Sequence, residues 1–100
     1  MKHLYLFLCL FAMALSAHSQ NDLKLMSYNI RNAKGMDNVR NVQRIVNVIN
    51  NEAPDVVAVQ ELDSMTTRSN QTFVLAEVAE RTQMHASYAP AISFQGGKYG

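Results

Sequence analysis

One short apolar run constrains the fold of this chain more than any other feature. The run DVVAVQEL, residues 55–62, follows Pro54 and holds three valines and one alanine before it ends on polar residues. An apolar run of this length, bounded by proline and polar side chains, predicts a strand buried on both faces. Glu61 closes that strand, and a carboxylate beside a core must be solvated, paired or bound to a cation. The run alone does not distinguish these three possibilities, and the simplest of them is a Glu61 side chain solvated in a loop.

A strand and an amphipathic helix precede this run. Alternating residues over 23–30 predict the strand, and a polar loop over 32–38 follows it. Asp37 or Asn38 is the expected cap of the helix. The apolar residues of the helix recur at helical spacing and predict its buried face: Val39, Val42, Ile45, Val46 and Ile49.

The order strand, helix, strand over residues 23–62 predicts a βαβ unit. The two strands of such a unit are almost always parallel, so Asn29 and Glu61 are expected at the same edge of the sheet. Neighbouring strands lie about 4.8 Å apart, and ligand sites in open α/β sheets favour this edge. An amide oxygen beside a carboxylate is a suitable partial site for a hard cation such as Mg²⁺.

The second half of the chain carries weaker patterns. Residues 63–71 are polar and predict a loop, and Thr72 can cap a helix over residues 73–82. Residues 84–92 alternate loosely and predict a strand that is interrupted or ends near Pro90, and residues 95–100 predict a flexible turn. The inner face of the second helix is predicted from its apolar spacing: Leu75, Val78, Ala79 and Thr82.

The amino terminus has the pattern of a secretory signal peptide over residues 1–19. A basic start precedes an apolar run at 4–15, and small residues flank a cleavage site between Ser19 and Gln20. The apolar run is too short to span a bilayer, so no stable membrane anchor is expected. We therefore predict export to the periplasm or the cell exterior, and a mature domain over residues 20–100.

Removal of the signal peptide simplifies the composition. It takes away Cys9 and leaves no cysteine, which excludes disulfides and thiolate metal sites. Loss of Lys2 lowers the formal net charge from +1 to zero. A neutral domain offers no basic field for nonspecific nucleic-acid binding.

Several segments resemble a known superfamily. SYNI at residues 27–30, PDVVAVQE at 54–61 and GKYG at 97–100 closely resemble the amino-terminal part of the endonuclease/exonuclease/phosphatase superfamily. That group includes abasic-site nucleases and neutral sphingomyelinases. The resemblance covers residues 23–100 and implies an α/β fold, the DNase I-like four-layer sandwich with mixed sheets, of which the first βαβ-α-β portion is present. It also implies hydrolysis of phosphate esters with Mg²⁺ or Mn²⁺.

The resemblance implies roles for individual residues. Glu61 would be the principal metal ligand, and Asn29 would orient or complete that site. Gln60 precedes the glutamate, as it often does in the superfamily. Asp63 and Arg68 resemble a pattern in secreted members and could support the site or form a loop ion pair. The resemblance does not distinguish between three classes of substrate: nucleic acids, phospholipid headgroups and sugar phosphates.

The chain also departs from the superfamily pattern. The downstream Asp-x-Asn segment, the catalytic Asp and the terminal Asp-His pair are absent, and no family motif surrounds His85, the one histidine left after cleavage. We therefore expect these residues to be the first third of a longer enzyme and to be inactive alone, with no catalytic residue assigned within them. The alternative is a non-catalytic truncated product or a small binding domain that retains half of the fold.

Overall fold

The two predicted strands before and after the first helix pair in parallel. The computed structural model describes residues 22–100, so the predicted signal peptide lies outside the described residues. Strand β1 (Leu25–Asn29) pairs with β2 (Val56–Gln60), and Asn29 lies opposite Gln60. The prediction of two parallel strands is confirmed, and the carboxyl ends of both strands meet at one edge of the sheet.

Helix α1 (Val42–Glu52) connects these strands and begins later than predicted. Its buried residues are Val42, Ile45, Val46 and Ile49. Neither Asp37 nor Asn38 caps it, since the N-cap is Asn41, without a side-chain hydrogen bond. Asp37 instead accepts hydrogen bonds from the Val39 amide at 3.0 Å and from Arg44 at 2.9 Å. These contacts hold the chain before α1 in a loop, and this is why Val39 is not helical.

Strand β2 is covered on one face only, so the prediction of burial on both faces is wrong. Val57 and Val59 are half-buried and pack against the core beneath α1. On the opposite face, Val56 is 52% exposed and Ala58 is also exposed. The second apolar face of the run therefore has no cover among residues 22–100.

A second, antiparallel sheet follows Glu61. It consists of β3 (Asp63–Ser64), β4 (Ile92–Phe94) and β5 (Gly97–Tyr99), in the order β3-β5-β4. The prediction of an uninterrupted loop after Glu61 is therefore wrong, since two of its residues form β3. Residues 84–91 are irregular in place of the predicted strand, and the predicted flexible turn contains β5.

A glycine permits the central pairing of this sheet. A Cβ atom on Gly97 would collide with the backbone of Ser64 and Met65. Beyond β5, Leu62 donates a backbone hydrogen bond to Gly100 at 2.7 Å and accepts one in return at 3.1 Å. These contacts fix the last four residues beside Glu61.

Helix α2 (Val74–Thr82) completes a mixed α/β fold with two small sheets and two helices. Val74 and Val78 are buried in the core shared with α1. The prediction of Thr72 as the cap is wrong, because its hydroxyl donates to the Ser69 carbonyl at 2.7 Å and Phe73 occupies the N-cap position. No helix within residues 22–100 is long and apolar enough to cross a membrane.

Two valines of α1 form a matched test of this core. Val46 is 1% exposed and Val48 is 39% exposed. We expect Val46→Ala to lower the free energy of unfolding by about 2 kcal/mol, since two buried methyl groups are lost and a cavity remains. Val48→Ala should change it by less than about 0.5 kcal/mol. Urea unfolding followed by circular dichroism measures both, and equal losses would contradict the assigned buried face.

Candidate functional site

Left-handed backbone follows both strands of the parallel sheet. After Ile30, the residues Arg31, Asn32 and Ala33 form a turn with positive φ angles of 48°, 54° and 56°. Glu61 follows β2 with φ of 61°, and its carbonyl accepts a hydrogen bond from the Asn32 amide at 2.9 Å. Non-glycine residues in this region are strained by about 1 to 2 kcal/mol each. Four of the eleven non-glycine residues with positive φ among residues 22–100 therefore lie near the two predicted ligands, Asn29 and Glu61.

Asn29 and Glu61 lie at the same sheet edge but line different pockets. The Asn29 side-chain oxygen accepts a hydrogen bond from the Arg31 amide at 3.0 Å and borders a mainly apolar pocket of about 410 Å³. Glu61 borders a second pocket of about 320 Å³. Arg31 and Lys34 line both. The structure therefore brings the two predicted ligands into adjoining spaces.

The space beside the carboxylate, here called the Glu61 pocket, is strongly basic. Four cationic side chains, one amide and one phenol surround it together with the glutamate: Arg31, Lys34, Arg40, Arg68, Asn32 and Tyr99. The basic residues come from the turn after β1, the loop before α1 and the turn after β3. Zero overall charge therefore conceals a local excess of positive charge.

Three of these cations have no carboxylate partner. Arg31, Lys34 and Arg40 form no ion pair with any residue of the part of the chain that the structure describes, and neither does Glu61. Most basic residues elsewhere are paired: Lys24 with Glu52, Arg44 with Asp37, and Arg81 with Glu77. The unpaired positive charge is thus concentrated at one pocket.

Asp63 holds the fourth cation in place. Its side chain is 0% exposed and accepts two hydrogen bonds from Arg68, at 2.7 and 2.8 Å. The Thr66 hydroxyl donates a third at 2.8 Å. The guanidinium of Arg68 also stacks on the rings of Phe94 and Tyr99, with its carbon 4.6 and 5.1 Å from their centroids. Asp63 and Arg68 therefore form an ion pair that fixes one wall of the pocket.

The protonation states in this wall follow from the contacts. Burial alone would raise the pKa of Asp63, but the hydrogen bonds from Arg68 and Thr66 outweigh it and hold that pKa below its ordinary value. Burial and the nearby Glu61 carboxylate raise the pKa of the Tyr99 hydroxyl. Asp63 is consequently ionised and Tyr99 protonated at neutral pH.

The two other residues considered from sequence lie away from this pocket. Gln60 donates hydrogen bonds to the Ala58 carbonyl at 3.0 Å and to the Ser27 hydroxyl at 3.3 Å, on the uncovered face of the sheet. His85 is exposed and lies beside Pro54 and Asp55, where β2 begins. Neither side chain lines the Glu61 pocket.

The donor set suits only an open cation site. No group of three or more histidine, cysteine or acidic side chains within residues 22–100 could enclose a metal ion. Glu61 provides one free carboxylate, and Mg²⁺ is commonly held by one or two carboxylates, waters and substrate phosphate oxygens. The pocket therefore fits a cation that is bound together with an anionic ligand.

The sequence pointed to Arg68 as a possible support of the site, but it did not reveal Arg31, Lys34, Arg40 or Tyr99 as residues of the pocket. The available signal was the pair Arg31 and Lys34 directly after the first strand. Arg40 lies across the loop from Lys34, with which it forms an isolated β-bridge. Arg68 lies more than thirty positions from Arg31 along the chain. Only the folded chain places these charges around one space.

Comparisons with known proteins add no assignment. No family model, curated protein or solved structure matches this chain. A functional assignment therefore depends on the residues of the chain itself, above all the Glu61 carboxylate without an ion-pair partner and the unpaired cations around it.

Removal of the Asp63 charge should destabilise the pocket wall. We expect Asp63→Asn to lower the free energy of unfolding by about 3 kcal/mol, because it leaves Arg68 without its buried partner. Asp37→Asn is the matched control, since it removes the same charge from an exposed pair and should have little effect. Urea unfolding at neutral pH compares the two, and a loss no larger than in the control would contradict a structural role.

The same pair predicts a dependence on pH. A lowered folded pKa means that the contribution of Asp63 is complete above its unfolded pKa of about 3.9 and is lost as the pH falls through the folded value. The difference in unfolding free energy between the unchanged chain and Asp63→Asn should be constant from about pH 5 to 7 and shrink below about pH 4. A difference that persists unchanged into stronger acid would show that the charge is not responsible.

Proposed function

We propose that this chain carries the cation-binding part of a secreted, metal-dependent phosphoesterase with the DNase I-like fold. The observation that carries the proposal is the position of Glu61, a carboxylate without an ion-pair partner at the end of β2, in a pocket otherwise lined by cations. A metal ion would neutralise the negative charge of Glu61, and a phosphate would neutralise the positive charges of the side chains around it. The motifs around Asn29 and Glu61 resemble those of the endonuclease/exonuclease/phosphatase superfamily.

Each side chain has a distinct task in this proposal. Glu61 holds Mg²⁺ or Mn²⁺, and Asn29, fixed through its bond to the Arg31 amide, orients the ligands on that side. When bound, the cation polarises the phosphate and stabilises the leaving oxygen. Arg31 and Arg40 bind phosphate oxygens, as guanidinium groups do in fork geometry. The Asp63–Arg68 pair keeps the adjacent wall rigid.

The uncovered sheet face supports the four-layer part of the proposal. Leu25 and Val56 are 67% and 52% exposed on neighbouring strands, and they lie opposite one another in the register. A DNase I-like sandwich packs two sheets face to face, so such an apolar face is the surface a second sheet would cover. The helices on the other face form the outer layer.

The described residues around the pocket can bind a cation and a phosphate, but they include no histidine to activate water. Among the described residues no histidine borders the pocket, because His85 lies at the opposite end of β2. Activation of water by an Asp-His pair would require groups outside residues 22–100. The same observation favours one second candidate, a non-catalytic domain that binds phosphate esters without hydrolysing them.

Direct detection of the cation tests the proposal. Mn²⁺ should broaden the amide NMR signals of Glu61 and of the turn Arg31–Ala33, and Glu61→Gln should abolish this broadening. Glu80→Gln is the control, because Glu80 is exposed on α2, away from the pocket, and should leave the broadening intact. Broadening that is equal in both variants, or centred elsewhere, would refute Glu61 as the ligand.

Catalysis is tested on the product of the whole reading frame that contains this chain. Hydrolysis of p-nitrophenyl phosphate, a monoester, or of bis(p-nitrophenyl) phosphate, a diester, should require Mg²⁺, stop with EDTA and fall at least about a hundredfold in Glu61→Gln, while Glu80→Gln stays active. Metal binding at Glu61 without any hydrolysis would favour the binding domain over the enzyme.

A further inference from the structure

We infer that the Glu61 pocket binds a free phosphate monoester group, and that the ligand of this protein carries such a group. The inference deepens the proposed function, on which it rests for the identity of the site. It narrows the substrate class to esters with a dianionic phosphate and disfavours choline-type headgroups. Three features of the pocket support it: buried polar atoms without partners, a surplus of positive charge, and a fixed backbone beneath the cations.

Two residues that line this space carry buried polar atoms without partners. Asn32 is 8% exposed, and its side-chain oxygen makes no hydrogen bond within the described part of the chain. The Nε and Nη2 atoms of Arg40 are also buried and unpartnered. Buried polar groups are almost always satisfied, so these atoms indicate a missing partner. Both residues line the Glu61 pocket.

A phosphate satisfies these atoms better than a cation does. Arg40 can only donate, so its partner must be an acceptor such as a phosphate oxygen. The Asn32 amide can present its NH₂ group after a half-turn, since its oxygen and nitrogen occupy equivalent positions. A metal ion would satisfy the Asn32 oxygen but would leave the Arg40 guanidinium unpaired and repelled.

The charge balance favours a dianion over a diester. Arg31, Lys34 and Arg40 face the single carboxylate of Glu61, while the charge of Arg68 is neutralised by Asp63. The surplus is therefore two positive charges before any metal binds. A phosphodiester carries one negative charge, whereas a phosphate monoester carries about 1.5 to 2 near neutral pH. A quaternary ammonium headgroup would be repelled by the same side chains.

The backbone that carries two of the cations is fixed before a ligand arrives. The Arg31 amide donates a hydrogen bond to the Asn29 side chain, and the Lys34 amide donates one to the Arg31 carbonyl at 3.0 Å. The Arg68 side chain is itself held by Asp63. Binding then needs less ordering of the backbone, which increases affinity.

Titration of the metal-free chain with inorganic pyrophosphate tests the inference. Isothermal calorimetry in EDTA at low salt should show binding at least about tenfold tighter than that of dimethyl phosphate, a monoanionic diester. Arg40→Gln and Arg31→Gln should each weaken pyrophosphate binding about tenfold or more. Arg31 is exposed, so its variant keeps the test valid if Arg40→Gln fails to fold.

Arg81→Gln is the matched control, because it removes the same charge from an exposed pair with Glu77 on α2 and should leave binding unchanged. Absence of pyrophosphate binding, or an equal loss in Arg81→Gln, overturns the inference.

Inositol trisphosphate and phosphatidylcholine vesicles containing phosphatidylinositol bisphosphate present phosphate monoester groups in soluble and lipid form. Competition by either supports the inference and identifies the source, and competition by neither overturns it.

One variant separates this inference from the proposed metal site. Glu61→Gln removes the negative charge from the pocket, so it should tighten pyrophosphate binding in EDTA while it abolishes broadening by Mn²⁺. Weaker pyrophosphate binding in Glu61→Gln would overturn the phosphate pocket and leave the cation proposal standing. If Glu61→Gln keeps the Mn²⁺ broadening and binds pyrophosphate more tightly, the cation proposal is overturned and the phosphate pocket stands.

Discussion

The parallel pairing of β1 with β2 is the constraint on which the rest of the structure depends. It aligns Asn29 with Gln60, so the turn after one strand and Glu61 after the other begin at the same level of the sheet. Helix α1 enforces this pairing, because its buried stripe covers one face of both strands. Every group of the candidate site is attached to this edge or packs against it.

A buried ion pair connects the second sheet to that edge. Asp63 begins β3 two residues after Glu61, and its bidentate contact with Arg68 turns the following loop back toward the pocket. Tyr99 on β5 lies opposite Asp63 in the register and stacks against the same guanidinium. Because a buried carboxylate is stable only with such partners, the wall of the pocket and the small sheet form as one unit.

The distribution of charge shows why composition is a poor guide to this site. A chain with almost equal numbers of acidic and basic residues places unpaired Arg31, Lys34 and Arg40 around one carboxylate, while Lys24, Arg44 and Arg81 find partners elsewhere. Left-handed backbone at Arg31–Ala33 and Glu61 accompanies this arrangement. Unpaired charge gathered in one place costs stability and is typical of functional sites.

The sequence by itself determined the order strand, helix, strand and the position of Glu61 at a strand end. These features follow from local periodicity, since a 3.6-residue stripe and a short valine run need only neighbours in sequence. Only the tertiary structure decided that residues 97–99 form the central strand of a second sheet, because their partners Asp63 and Ser64 lie more than thirty residues away. The Glu61 pocket could likewise not be predicted, since its cations converge only when the turns after β1 and β3 meet the loop before α1. Tertiary packing also determined that only one face of Val56–Gln60 is buried, because the hydrophobicity of a strand indicates which residues can be buried but not which neighbours cover them.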